Sequence, residues 1–407
     1  MRLPVARLAW RSLWRSKRRT LLMASSIAFG VAAIVFGQSL LSSFQRQMVD
    51  KSTGVFTGHL QVQAKDATDR KFPDKLLEAP ERFKALFAAD PRVAAAGTRL
   101  LLTALLHSAA SSRGALVVGV EPEDEKRLSL IPGYLKTGRY VSGPRDIVIG
   151  RRLASTLDLR LGERVVVMSQ GPDGVMQSEL FRLSGILDTG SVTFDGQIAY
   201  VRLDAAQGLK GRPGQASQVV AKLKDSRRTD EAAADLGFRL GDPRAALFTY
   251  EQLDSEVVGI KRFQDAFWVV ISLVILLVVW LGILNTVSMS FFERIREFGV
   301  MRAIGARPSL LVSLLLAEAL FLGALGAVLG LALGRGLIAW FGSEGLRLPV
   351  GQALAYFMPF DDRVFLRPVW GQHLRAAAAA AGVSVLAAVG PALRVLRLRV
   401  TEALRYL

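Results

Sequence analysis

The sequence predicts an α-helical membrane protein with four transmembrane helices and an α+β extracytoplasmic domain inserted between helices 1 and 2. Three observations carry this prediction. Runs that are uncharged or nearly so occupy residues 21–44, 266–292, 308–334 and 376–393, and a bilayer core needs about 20 residues of helix. Hydrophobic residues make up 51% of the 407-residue chain, high for a soluble protein of this size. The formal charge of +17 is concentrated beside those runs rather than on a nucleic-acid-binding face.

The elements follow in chain order. Residues 1–20 predict a cytoplasmic amphipathic basic helix. Leu3, Ala6, Trp10, Leu13 and Trp14 share one face, and Arg7, Arg11, Arg15 and Arg18 share another. Tryptophans at headgroup depth and arginines on lipid phosphates suit such a helix to the membrane surface. The first apolar run, 21–44, exceeds the hydrophobic region of a cleavable signal peptide, so it is expected to be retained as transmembrane helix 1.

Residues 45–265 predict a periplasmic domain. "HLQVQA" and "GALVVGV" have strand character and "ERFKALFAAD" reads as a helix. From residue 131 to 205 the texture becomes glycine-punctuated strands, "DIVIG", "RVVVMS", "FRLSGILD" and "IAYVRL"; "SQVVAKLK", "DEAAADLGFRL" and "LFTY" then give strand, helix, strand. This predicts an α/β part from 50–130 and 206–255, interrupted by a β-rich insertion at 131–205. "SSFQRQMVDK" and "YEQLDSEVVGIKRFQDAF" read as helical stalks entering transmembrane helices 1 and 2, the latter at 266–292.

Residues 293–307, "ERIREFGVMRAIGAR", are too few for a domain and read as a short cytoplasmic helix. Glu293 and Arg296 lie one turn apart, Glu297 adds an acid on that side, and Ile295, Phe298 and Met301 share the opposite side. Val300 and Ile304 spoil this pattern, and Gly305 followed by Pro308 is a helix stop. Transmembrane helix 3, at 308–334, carries Gly326, Gly330 and Gly334 at four-residue spacing, with Ala319, Gly323 and Ala327 on a neighbouring strip. Small residues so placed let helix backbones approach closely in lipid. Glu318 inside this run calls for a structural partner, such as an arginine or a helix-end amide. A periplasmic loop at 335–375, transmembrane helix 4 at 376–393 and a cytoplasmic tail at 394–407 complete the chain.

Residues 2–20 carry seven basic residues and no acid, 293–307 four basic and two acidic, and 394–407 four basic and one acidic. With four spans these segments share one side, and the positive-inside rule makes it the cytoplasm. The 335–375 loop, with five basic residues against three acidic, is the weakest part of that topology.

Catalytic chemistry finds no foothold. There is no cysteine, and His59, His107 and His373 do not cluster, so no metal site is expected. No Gly-Lys dipeptide occurs, which removes the phosphate-cradling loop of an ATPase. "DTGS" at 188–191 matches half of an aspartic-protease motif, but the second copy such an enzyme needs is missing, and a turn after "FRLSGIL" explains it. A non-catalytic membrane subunit is expected.

Residue order narrows the reading further. "NTVSMSFFERIREFGVMRAIGAR" resembles the segment between helices 2 and 3 of the FtsX-like permeases, the ABC-transporter family that includes MacB-type exporters and lipoprotein-releasing, Lol-type transporters. "ARLAWRSLWRSKRRT", "LLLAEALFLGALGAVLG" and "GPALRVLRLRVTEALRYL" resemble the family's N-terminal basic helix, third helix and C-terminal signature. The resemblance implies that the short helix docks on an ABC ATPase through Glu293, Arg294, Arg296, Glu297, Gly299, Met301, Arg302, Gly305 and Ala306, with Phe298 standing where a smaller aliphatic is usual. The charges then have a physical use, because a rim of both signs gives partner selectivity while Phe298 or Met301 can fill a pocket. The resemblance also implies that ATP and Mg are bound by a partner ATPase dimer and that this chain pairs with a second permease subunit, identical or homologous. ATP-driven motion then reaches the periplasmic domain by mechanotransmission.

"LVVGVEPEDEKRLSLIPGYLKTGRYV" and "FRLSGILDTGSVTFDGQIAYVRLDAAQGL" are nearest the Lol-type members, although Glu163 stands where Asp is usual. For lipoprotein cargo, handed to a periplasmic acceptor, Leu40, Phe44, Met48, Ile260, Phe263 and Phe267 are the candidate lipid-cavity residues. The alternatives are a MacB-type export permease and an FtsX-type signalling protein controlling a cell-wall hydrolase.

Overall fold

The computed structural model describes residues 3–348, 356, 359–361 and 363–396, with side chains from residue 5 onward; the tail beyond 396 lies outside the described residues. The chain forms two compact units. One comprises residues 1–45, 261–346 and 364–407, and the other residues 46–260 and 347–363.

In chain order the elements are α1 (Leu3–Arg15), α2 (Lys17–Ser52), β1 (Leu60–Ala64), α3 (Pro80–Ala88), β2 (Val93–His107), β3 (Ser112–Val120), α4 (Pro122–Leu128), β4 (Leu135–Gly138), β5 (Asp146–Gly150) and α5 (Arg151–Thr156). Then come β6 (Arg164–Gln170), β7 (Met176–Leu187), α6 (Val192–Gln197), β8 (Ile198–Arg202), α7 (Leu203–Lys210), β9 (Gln218–Leu223), α8 (Thr229–Phe238), β10 (Ala245–Thr249) and α9 (Tyr250–Leu253). Long helices return with α10 (Ser255–Glu293), the short α11 (Ile295–Ala303), α12 (Pro308–Glu344) and α13 (Trp370–Leu396).

The helices α2, α10, α12 and α13 are long and apolar enough to cross a membrane. The 36 residues of α2 span about 54 Å at 1.5 Å per residue, more than the hydrocarbon thickness. Each helix outruns or ends beyond its uncharged run, because the charged residues that bound the run continue the helical backbone. The basic N-terminal stretch divides at Ser16, where α1 ends and α2 begins.

Small residues of α12 set the packing of the bundle. A Cβ added at Gly326 would lie 2.6 Å from Ile27, and one at Gly330 would lie 2.6 Å from the Ala28 carbonyl; at Gly334 it would lie 3.0 Å from Val35. These three glycines therefore face α2, whereas Gly323 faces α13, with Ser384 2.6 Å from its virtual Cβ. Close backbone approach gives dispersion contacts that larger residues would forbid. Gly37 plays the same part for α10, since a Cβ there would overlap the Trp268 ring at 2.0 Å. Ala24, Ile27, Val31, Val35, Val279, Ile283, Leu322 and Ala387 form the common core.

The second unit is built on a ten-stranded sheet, ordered β10-β1-β9-β2-β3-β8-β5-β7-β4, with β6 pairing β2 and β7. The 15-residue β2 pairs β9 through Val93–Arg99 and β3 through Arg99–His107, then takes β6 on its other edge at Ala104–His107. One continuous strand thus serves both the expected α/β part and the expected insertion, and no break in the sheet separates them. Sequence reading passed over β2 because "VAAAGTRLLLTALLH" is a long apolar run without clear alternation. The core of Leu60, Val62, Phe83, Phe87, Val219 and Leu236 lies under β1 and β9; that of Leu100, Leu102, Ile147, Val165, Phe181 and Val201 lies under β2, β5 and β6.

Arg99 is the largest fully buried side chain among the described residues. It and Glu125 are each 2% exposed and form a two-point ion pair at 3.0 and 2.6 Å, while a third guanidinium nitrogen donates to the Phe56 carbonyl. The second stalk helix is interrupted at Asp254, whose carboxylate accepts from the Ser52 hydroxyl at 2.6 Å. Thr189 donates to the buried Asp195 at 2.7 Å, and Ser191 caps α6, so "DTGS" forms a turn.

Candidate functional site

Residues 291–318 form a two-sided element. α10 breaks at Arg294, which leaves helical geometry at φ −107° and ψ 10°. α11 then runs to Ala303 and closes in a Schellman motif: the Ala306 amide donates to the Met301 carbonyl at 2.9 Å and the Gly305 amide to that of Arg302 at 3.1 Å. Gly305 supplies the required left-handed conformation at φ +95°. Pro308 opens α12 at the position where a missing amide proton costs nothing.

The inward side of α11 is fixed by packing. Phe298 is fully buried and stacks on Phe291 at 6.0 Å, with Ile295, Leu311, Leu315 and Val395 around them and Met301 against the same cluster. The expectation that Phe298 fills a partner's pocket is therefore corrected, since Phe298 belongs to this chain's own core; Met301 is half-buried at the edge of the same apolar face, which α12 and α13 cover.

An ion-pair ladder surrounds that core. Arg294 points inward and its Nη1 meets both Glu318 oxygens at 3.0 Å, which supplies the partner that the buried carboxylate needs. Its Nε meets Glu297 at 3.3 Å, and its guanidinium lies 5.2 Å from the Phe298 ring. Glu297 also accepts from Arg15 at 2.7 Å. Arg19 pairs with Glu293 and donates to Ser290 at 2.9 Å. Of this ladder Arg19, Ser290, Arg294 and Glu318 border a cavity of about 40 Å³ lined also by Ser12, Ser16 and Thr20, which is roomy enough for ordered water. The acids expected to meet a partner are thus engaged by arginines nearly 300 positions earlier in the chain, a pairing that helical spacing could not reveal.

The outward side carries Glu293, Arg296, Val300, Ala303, Ile304, Gly305 and Arg307. Val300 is 47% and Ile304 80% exposed. The two residues that broke the amphipathic pattern therefore form, with Arg296, a mixed apolar and basic stripe at four-residue spacing. Gly299 is buried, and Arg302 and Ala306 are half-buried.

The candidate cavity residues do not share one environment. Phe263 and Phe267 are 72% and 58% exposed and stack at 6.2 Å on α10, and Ile260 is 44% exposed. Leu40 packs against the helix core and Phe44 is half-buried. Met48 is 1% exposed, which corrects the expectation that it lines an open cavity.

The histidines serve separate local bonds. His59 Nδ1 accepts from the Leu223 amide at 2.9 Å, His107 pairs with Ser112 at 2.6 Å and His373 with Ser39 at 2.8 Å. Among the described residues, no group of three metal-ligating side chains occurs.

Comparison with known proteins yields two family models. Residues 20–237 match the MacB-like periplasmic core domain, and residues 269–400 match the FtsX-like permease C-terminal domain. The chain is 25% identical over 415 residues to the lipoprotein-releasing system transmembrane protein LolC of Xylella fastidiosa, covering 96% of each chain. It is 22% identical to the corresponding LolE of Haemophilus influenzae, covering 94% of this chain and 92% of that one. It is 24% identical to the macrolide export ATP-binding/permease protein MacB of Burkholderia lata, covering 82% of this chain and 50% of that one.

Proposed function

Because the chain belongs to the MacB-like periplasmic core domain family and is an ABC transporter permease of the LolC/MacB/FtsX type, we propose that it is the mechanotransmitting subunit of a lipoprotein-releasing transporter. α11 is the element through which a partner ATPase acts. The observation that carries this reading is the two-sided build of α11, one side locked to α12 and α13 and the other left as an exposed stripe. A helix fixed on one side transmits displacement instead of absorbing it, because packed cores shift as units. The stripe of Arg296, Val300 and Ile304 gives an apolar anchor with a charged rim, the composition that protein interfaces use.

In this reading the four long apolar helices cross the inner membrane, both termini are cytoplasmic, and residues 45–265 are periplasmic. ATP and Mg bind the partner dimer, and a second permease subunit completes the complex. Likeness to LolC and LolE over nearly their whole length supports lipoprotein as cargo. Exposed Phe263 and Phe267 offer a surface on which acyl chains pack.

Docking is tested by Arg296→Glu combined with Ile304→Asp. The expected result is loss of co-purifying ATPase with the thermal melting of the permease unchanged; full retention of the ATPase overturns the assignment. Reversal at Glu297 is a poorer test, since it also breaks the bonds to Arg15 and Arg294. Cargo is tested by photocrosslinkers at Phe44 and Phe263 in the absence of ATP, where capture of acylated protein is expected and capture of phospholipid alone counts against it.

A further inference from the structure

Arg335 immediately follows the uncharged run 308–334 within α12, and its guanidinium lies 4.0 Å over the ring of Trp370, the first residue of α13. Its Nη1 is buried without a hydrogen-bond partner, and no carboxylate pairs with it among the described residues. His373, one turn into α13, is 1% exposed and lies 6.4 Å from the same Trp370 ring. Its Nε2 meets the hydroxyl of fully buried Ser39 at 2.8 Å, while its Nδ1 is buried and unpartnered. For Nδ1 to donate to an anion its proton must sit there, and the Ser39 hydroxyl then donates to Nε2; Arg335 Nη1 and His373 Nδ1 are in either case unpartnered groups beside one indole. The surroundings are short of acid: residues 363–396 hold Arg363, Arg367, Arg375 and Arg394 and no Asp or Glu. Arg335, Arg363, Arg367 and Arg375 belong to the 335–375 segment, which fits the positive-inside rule least well.

A guanidinium held against apolar helices without a counter-ion is costly, and stacking on an indole offsets only about 2 kcal/mol of that cost. Phosphate matches the guanidinium fork, and the first-turn amides of α13 add partial positive charge. Exposed Trp340 and Trp370 suit headgroup depth, where tryptophan collects at membrane interfaces.

We propose that Arg335, His373 and the first turn of α13 bind one phosphate group, supplied by the phosphodiester of a phospholipid headgroup. Bound there, the lipid ties α12 to α13 and supplies a counter-charge that no described residue gives Arg335. The proposal rests on the reading of α12 and α13 as membrane spans and is independent of what docks on α11.

The test uses the full chain purified in mild detergent. Native mass spectrometry in the presence of phosphatidylglycerol or phosphatidylethanolamine counts retained lipid for wild type, Arg335→Gln and Arg335→Lys; thermal melting with inorganic phosphate forms the second arm. One retained phospholipid in wild type, lost in Arg335→Gln and partly kept in Arg335→Lys, is expected. A melting shift with inorganic phosphate that Arg335→Gln abolishes, without retained lipid, supports the phosphate site and overturns the lipid as its source. Equal lipid retention and no phosphate shift overturn the site. Should Arg335→Gln fail to fold, His373→Phe is read in its place, with the same losses expected. Co-purification of the ATPase by Arg335→Gln separates failure of this site from failure of the docking assignment.

Discussion

Two arginine–glutamate pairs in this chain have the same chemistry and opposite designs. Arg99 and Glu125, inside the sheet unit, are each 2% exposed, and the arginine's third nitrogen donates to a carbonyl. Arg294 and Glu318, in the helical unit, have side chains 16% and 13% exposed, and Arg294 also serves Glu297, which in turn serves Arg15. The first pair is closed and can only be kept or broken. The second is one rung of a ladder whose members have alternative partners, so it can be shifted a rung at a time. A permanently formed domain suits the closed pair, and the ladder suits the moving element that the proposed function makes of α11.

The largest effect separating the two is expected at Glu125→Gln. Leaving Arg99 charged and unpaired in the core costs about 3–5 kcal/mol, read as a lowered melting transition of the sheet unit. Replacing both partners together, Arg99→Met with Glu125→Leu, is expected to restore most of that loss. A double variant no more stable than the single one breaks the distinction between burial cost and pair strength.

Glu318→Gln is expected to cost less, about 1–3 kcal/mol, because Arg294 retains Glu297 and borders a cavity of about 40 Å³. Its sharper consequence is in coupling: ATPase binding persists while ATP-driven transport falls. Equal loss of both activities contradicts the ladder.

Smaller still is the acid response of the sheet unit. The side-chain hydrogen bonds from Arg92, at 2.7 to 2.9 Å, hold the Asp90 carboxyl down to about 2. Its stabilising contribution is therefore complete above the unfolded carboxyl's range near 4, and is lost as pH falls from there through about 2. Denaturant melts between pH 5 and 2 should show this slope in wild type and a shallower one in Asp90→Asn. Arg15→Ala closes the series. The Arg15 side chain is 74% exposed, so a stability change under about 1 kcal/mol is expected, and a larger one would mean that the outer rung is not a surface pair.

Much of this architecture was legible along the chain because it is written locally. Uncharged runs marked α2, α10, α12 and α13, since desolvating a charge in lipid is costly wherever it falls. Glycine spacing marked the close-packed strip of α12, and Gly305 with Pro308 marked the end of α11, because backbone sterics depend on adjacent residues alone. The apolar face of Ile295, Phe298 and Met301 was also legible, but its use was not. Periodicity finds a face without naming what covers it, and Phe298 covers this chain's own core. Likewise Val300 and Ile304 looked like defects in an amphipathic helix until their exposure was known.

What only the tertiary structure decided is which distant groups meet. Arg15 and Arg19 reach Glu297 and Glu293 across more than 270 positions, and Arg294 chooses Glu318 over solvent. Likewise β2 joins in one sheet two regions that composition had divided. The sequence by itself determined where helices run, where they stop and which stretches avoid water, because those free energies are settled by neighbours one to four residues away. The pairing of charges and the sharing of a strand depend on loop closure and burial summed over the whole fold, and no window along the chain contains that sum.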